Sequence, residues 1–300
     1  MTILARFFRD LLRLILFLLR YFLRRGSDPD PRRCRPCPPA LKRPDPFLYS
    51  QYYLMHLGIP VTWDNPDIYI FEGNTAVDPH NLEPSTDYTL VARIWNNSTD
   101  VPVVDLGVVF TYLSFGMGVQ SHAIAATKTD LNVKGLPGCP AFAAVPWKTP
   151  PTAGHYCVQV LLEPPDDSNW LNNLGQRNMD VAQPASPATF EFDVGNHALP
   201  RPRRVHFTVD TYAIPPLPPC DDRPPNDVRL RELKRSAPHI PEGWTVQLTP
   251  SELVLAPGEE KTVKAEITPS PGFAGRMPIN VHALDDAACF GGVTLVVEAP

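Results

Sequence analysis

The sequence has no H-E-x-x-H pair, no glycine-rich loop leading into a lysine and a helix, and no G-x-S-x-G elbow. It therefore lacks the short signatures of zinc peptidases, nucleotide binders and α/β-hydrolases. The one glycine cluster that invites comparison, Gly116-Met117-Gly118, lies between strand-like runs with no lysine after it. Long apolar runs are also missing from the opening segment, where the longest, Leu14 to Leu19, is six residues. A secretory signal needs an apolar core of about seven or more and a small-residue cleavage site, and no A-x-A follows. Extended helical patterns are scarce as well, and the 37 prolines are about twice the usual share. Proline donates to neither a helix nor a sheet ladder, so this density suits short strands, edges and turns.

Charge is unevenly placed. From Met1 to Arg43 there are eleven Lys/Arg against three Asp, a net +8, whereas the remainder holds sixteen Lys/Arg against twenty-nine Asp/Glu, a net −13. A basic tail on an acidic body suits anionic lipid, nucleic acid or an acidic partner. No nucleic-acid partner is expected for the body.

The opening segment, residues 1–25, reads as a basic amphipathic helix. On a helical wheel Arg6, Arg9, Asp10, Arg13, Arg20 and Arg24 occupy one arc about 100° wide. Phe7, Phe8, Leu11, Leu12, Ile15, Leu16, Leu18, Leu19 and Phe22 fill an apolar arc of about 260°. These are the expected membrane or assembly contacts, and the geometry is that of a helix lying at an interface. As a membrane span from Leu4 to Leu23, its thirteen Leu/Ile/Phe would contribute roughly −4 to −8 kcal/mol, opposed by about 3 each from Asp10 and Arg13. The balance is near zero. An organelle presequence is disfavoured by the near absence of serine and by six consecutive large apolar residues. A membrane surface or neighbouring protein subunits remain as the receiving partner, with homo-oligomerisation as one route. Residues 26–46 read as a proline-rich linker.

From residue 47 onward the pattern is all-β. PFLYSQYYLMHLGIPVTWDNP gathers Tyr49, Tyr52, Tyr53 and Trp63 and is expected to cap the following domain, the other reading being a partner-docking peptide. DIYIFEG, DYTLVARIWN, PVVDLGVVFTYLS, HAIAATKTDLNV, AFAAVPWKT and HYCVQVLLEP are β-branched or aromatic runs separated by turn residues, the spacing of an antiparallel sandwich. In the second run Leu90, Ala92 and Ile94 alternate with Val91, Arg93 and Trp95, which predicts one core-facing side. A second set begins near Ser186: ATFEFDV, RVHFTVDTYAI, GWTVQLTP, SELVLAPGEE, KTVKAEITP, RMPINVHAL and GGVTLVVEA, interrupted by the helix-like DVRLRELKRS. The expected fold is two consecutive immunoglobulin-like antiparallel β-sandwiches, 47–185 and 186–300, behind an N-terminal helix.

NPDIYIFEG, YTLVARIWNNSTDVPVVDLGVVFTY and GHYCVQVLLEPPDDSNWLNNLGQRN together resemble the bacterial cell-adhesion-related domain family, CARDB, an immunoglobulin-like module. The sequence departs from that family's closing motif at Trp170, Leu171 and Leu174, where acidic or polar residues are common. GWTVQLTPSELVLAPGEEKTVKAEITP with GGVTLVVE resembles immunoglobulin-like modules of bacterial surface proteins. The resemblances imply binding, spacing or assembly rather than chemistry, with a protein or glycan ligand on the sandwiches and a location at a bacterial surface, outside the cytoplasm.

The remaining candidates are small sites. Hard cations want several oxygens brought together by a loop, and Asp166, Asp167, Asn169, Asn172 and Asn173 supply them, although the same residues also serve ordinary turns. No other cofactor is expected. Cys34-x-x-Cys37 leaves a local disulfide, free thiols or a metal open. Of the fifteen pairings that six cysteines allow, Cys139 with Cys157 and Cys220 with Cys289 is the one preferred here, and bridges would suit an oxidising compartment. His122, His155, His206 and His282 fall in or beside strands and read as structural. The doublets Asp166–Asp167, Asp221–Asp222 and Asp285–Asp286 point apart on an extended chain. The expected protein is a non-catalytic, membrane-associated adhesion or scaffold protein. The alternative is a structural subunit of a filament or large assembly, docked through its N-terminal helix.

Overall fold

Alternation of buried and exposed positions carries through into the computed structural model, which describes residues 42–114, 116–181, 189–214, 239–285 and 288–299. The predicted N-terminal helix with all its contact residues, the linker up to residue 41, and the DVRLRELKRS stretch lie outside the described residues. Leu90, Ala92 and Ile94 are each completely buried, as their period-two spacing predicts. They sit on β4 (Asp87–Asn96), flanked by β2 (Ile68–Glu72) on one side and β8 (Ala141–Lys148) on the other. Two-residue strands β1 (Pro46–Phe47) and β3 (Thr75–Ala76) extend this sheet. The opposing sheet runs β10 (Leu174–Val181), β9 (Gly154–Glu163), β5 (Val103–Ser114) and β7 (Ser121–Leu131). Between them Val108, Phe110, Val158, Val160, Leu162, Val145 and Trp147 complete one apolar core. Each fully buried side chain of this size contributes about 1.5–3 kcal/mol before chain entropy is set against it.

A second pair of sheets forms from the later strands. One is β13 (Thr245–Thr249), β15 (Glu260–Thr268), β11 (Thr189–Gly195) and β6 (Gly116–Met117); the other is β14 (Glu252–Leu255), β12 (Arg203–Asp210), β16 (Gly275–Asp285) and β17 (Ala288–Ala299). Phe192, Val194, Leu255, Val263, Ile267, Ile279, Val281 and Val293 fill the space between them. The chain from Arg43 to Pro300 forms one compact unit, and no helix among the described residues is long and apolar enough to cross a membrane.

Three features differ from expectation. Leu174–Val181, which is absent from the strand runs expected of the sequence, is a strand paired with β9 over eight residues. The run ending in YAI stops as a strand at Asp210. Pro46, placed at the end of the linker, pairs with Asn96 as β1, and Asp45 N–H donates to the Asn96 side chain at 3.1 Å.

Candidate functional site

The segment after β1 builds the most elaborate polar arrangement among the described residues. Ser50 caps the short helix α1 (Gln51–His56), its hydroxyl accepting from Tyr53 N–H, which satisfies one of the orphan donors of a helix start. α1 contacts both β10 and β17, so it lies in the crease where one sandwich meets the other. Gln51, fully buried, donates to the carbonyls of Thr62 (3.2 Å) and Gln176 (2.7 Å) and accepts from Gln176 N–H. Tyr52 Oη donates to the Phe290 carbonyl at 3.2 Å. Its burial, and after it the neighbouring Cys289 and Cys157, push the phenol far above its ordinary range.

Trp63, with no exposed surface, is the centre of this seam. Its indole Nε1 donates to His282 Nδ1 at 3.3 Å and its backbone N–H to Thr294 Oγ1 at 2.8 Å. An indole nitrogen only donates, so the His282 Nδ1 accepts and its Nε2–H faces Asp210 at 2.9 Å. Asp210 also receives the Asn280 amide (2.7 Å) and Tyr212 N–H (2.8 Å). Burial raises the Asp210 carboxyl, but donation from His282, Asn280 and Tyr212 outweighs it and holds the group below its usual range. Thr294 donates onward to Asn280 Oδ1 at 2.7 Å, and Asn178 of β10 donates to the Thr294 carbonyl at 3.1 Å. Three strands of the second sandwich, β12, β16 and β17, are thereby joined to β10 and to the segment carrying Trp63 in one hydrogen-bonded chain, in which a missing partner leaves a costly buried group.

Two glycines explain why the chain approaches so closely. A Cβ on Gly292 would lie 2.1 Å from Trp63 Nε1, and one on Gly116 would lie 2.2 Å from the Asp193 carbonyl. Gly116 and Met117 form β6, which leaves the first sandwich between β5 and β7 and pairs parallel with Asp193 and Val194 of β11. Met117, 1% exposed, is part of the second sandwich's core. The Gly-Met-Gly stretch is thus a strand lent by one sandwich to the other, a close-approach use of glycine that residue order alone did not reveal.

A second titratable cluster sits at the end of the first sandwich. Asp180 receives His80 Nδ1 at 2.6 Å and, on its other oxygen, His155 Nδ1. Burial opposes ionisation there, yet the two imidazoles win and hold the carboxyl down at about 2. The His155 ring packs 5.9 Å from Phe190 of β11.

The sequence-predicted cation residues are partly gathered. Asp167 Oδ2 accepts from Asn173 Nδ2 at 2.7 Å and its Oδ1 from Asn169 N–H at 2.9 Å. Asn172 Nδ2 instead donates to Asp45 at 2.9 Å, and Asp166 faces Arg43 at 3.3 Å on the surface. The preferred Cys139–Cys157 bridge is not formed: both are free thiols, as is Cys289. Cys139 touches Asn96 at one end of the sandwich. Cys157 pairs with Leu113 at the far end of β5, and ten residues of strand span about 30 Å. Cys34, Cys37 and Cys220 lie outside the described residues, so of the Cys220–Cys289 pair only Cys289 is described, as a free thiol. Asn96, which with Asn97 opens two overlapping N-x-S/T sequons in Asn96-Asn97-Ser98-Thr99, is completely buried and donates to the carbonyls of Val101 and Asn132. Among the described residues no group of three or more His, Cys, Asp or Glu is arranged to hold a metal.

No protein-family model matches the chain, and no curated protein matches it. Solved structures align with it over most of its length. An alpha-2-macroglobulin variant of Salmonella does so at 11% identity and a TM-score of 0.27, covering 74% of this chain and 16% of its own. The adhesin InvE of Yersinia pseudotuberculosis aligns at 10% identity and a TM-score of 0.21, covering 74% and 57%. A red sea bream transglutaminase aligns at 13% identity and 0.22, covering 82% and 32%. The chain therefore spans less than two thirds of each. TM-scores of this size are below what a shared fold requires, so no function passes from these proteins to this chain.

Proposed function

We propose that this chain is a non-catalytic binding, adhesion or scaffold protein that presents two immunoglobulin-like sandwiches as one rigid body at a bacterial envelope. The observation that carries the reading is the seam. Trp63, Met117 and the Asn178–Thr294–Asn280 chain fix the two sandwiches against each other, so loops on both are held at a set spacing. Its buried ionisable groups support this: His282, Asp210, Arg203 and Asp285 are engaged with one another or with backbone, which is the work of a spacer. The immunoglobulin-like assignment of the first sandwich is supported by strand order. β2, β4 and β8 stand where strands A, B and E do, and β10, β9, β5 and β7 follow the order G, F, C, C′.

The membrane reading rests on the sequence of residues 1–25. Liposome flotation of the full chain and of a chain lacking residues 1–26, with neutral and anionic vesicles, tests it beside size-exclusion chromatography. Flotation of the full chain alone, stronger on anionic vesicles, is the expected result. Failure to float, with large particles that the truncation abolishes, overturns it in favour of a subunit of a larger assembly.

A further inference from the structure

We propose that the outward face of the β10-β9-β5-β7 sheet is a dimer surface, on which a second copy of this chain packs about a two-fold axis running along β5. An antiparallel sheet with one face on a core ordinarily carries polar groups on the other. Leu106, Val108 and Phe110 of β5 and Val158, Val160 and Leu162 of β9 belong to the core, so Val109 and Leu161 point outward. Register continues their row across the sheet: Leu174 of β10 pairs with Leu161, Leu161 with Val109, and Val109 with Ala126 of β7. Four strands therefore present Leu, Leu, Val and Ala side by side on a face that should be polar, and Leu161 is 39% exposed. A contiguous apolar strip of this kind marks a surface that meets a partner.

The chain already uses this face once. Cys157 and Asn178 point outward with Leu161 and Gln176, at alternate positions of β9 and β10, yet both are buried, because the second sandwich covers that end of the sheet and receives Asn178 Nδ2 at the Thr294 carbonyl. The strip at Leu161 continues that interface into the part left uncovered by the described residues.

Charge identifies the occupant. In the row beside the strip, Gly107 lies between Glu163 of β9 and Lys128 of β7, each one strand spacing away, about 4.8 Å. The row thus reads minus, glycine, plus. A two-fold axis along β5 exchanges left for right, so Glu163 stands opposite the second copy's Lys128, and Lys128 opposite the second copy's Glu163. One symmetry operation makes two ion pairs, as a self-complementary interface requires. The same operation sets the long Leu161 over the short Ala126, twice, and Gly107 over Gly107, where the missing Cβ lets the two sheets approach to about 10 Å. An axis across the strands through Val109 gives no such pairing, since Glu163 would then meet Gln159 and Lys128 would meet Ala123. Lys128 now reaches Asp105 at 3.7 Å, with side chains 66% and 73% exposed. Such a loose surface pair is worth little, and an ammonium has further donors to give.

The test is sedimentation velocity on the full chain at about 1 to 100 μM, where a monomer–dimer equilibrium is expected. Glu163→Lys and Lys128→Glu each place like charges opposite one another and weaken the dimer about ten-fold or more. Leu161→Asp weakens it as well, and Val254→Ser, at an exposed apolar residue of β14, leaves it unchanged. An equimolar mixture of Glu163→Lys chains with Lys128→Glu chains recovers the dimer, because each face then meets its opposite; variants that had merely misfolded would not recombine. A monomer throughout the range overturns the proposal. So does self-association that both charge reversals leave intact, which places the contact in residues 1–25 or on another surface, and so does failure of the two reversed chains to recombine.

Discussion

The indole of Trp63 donates to His282 across the seam at 3.3 Å, and the two rings lie 6.3 Å apart centre to centre. This pair joins a residue ahead of the first sandwich to a strand deep in the second, 219 positions later.

Trp63→Ala removes the ring together with its donor and leaves His282 Nδ1 without its partner, an expected loss of about 3–5 kcal/mol. Gly292→Ala should act in the same direction by about 1–3 kcal/mol, since the new Cβ forces the ring aside. Urea unfolding followed by tryptophan fluorescence and far-ultraviolet circular dichroism checks both. The unmodified chain is expected to unfold in one transition and Trp63→Ala in two, and a single unshifted transition in the variant would contradict the role of the seam.

Asp180 fixes the acid limb of stability. Its carboxyl is lowered from 3.8 to about 2 in the folded chain, so its contribution is present above about pH 4 and disappears as pH falls towards 2. A shift of this size corresponds to about 2 kcal/mol. Asp180→Asn is expected to lose that amount at pH 7 and to show a shallower decline between pH 4 and 2. Identical acid limbs in melting temperature for the two proteins would rule it out.

Burial pushes the Cys157 thiol up to about 12 and the Cys289 thiol up to about 11. The thiolate is the reactive form, so both should resist iodoacetamide in the native chain at pH 8 and react once urea unfolds it. Mass spectrometry of modified peptides reads this directly. Rapid native labelling of Cys157 would show that the seam opens.

Much of the sheet structure was legible because its chemistry is periodic. Leu90, Ala92 and Ile94 announce a buried face, and the β-branched runs of β5, β9, β15 and β17 are strands wherever they are placed. β10 was not legible, because Leu-Gly-Gln-Arg-Asn-Met-Asp-Val has no apolar alternation. Gln176 and Asn178 are buried for their hydrogen bonds, which hydropathy scores as surface. The aromatic segment read as a cap does pack on a sandwich. What residue order hides is that its groove is cut by Gly292, far along the chain, and that Met117 belongs to the core of the other half. The Asp/Asn-rich loop shows the same limit: Asp167, Asn172 and Asn173 are local and visible, while Asp45 meets Asn172 only through the fold.

The seam also sets a timetable. Trp63 N–H finds Thr294 Oγ1 231 positions later in the chain, and ribosomes add about 5–20 residues per second. An indole that ends with no exposed surface therefore waits roughly 10–50 s for its groove to be synthesised. During that interval the docking peg of the first half stands without the groove that covers it.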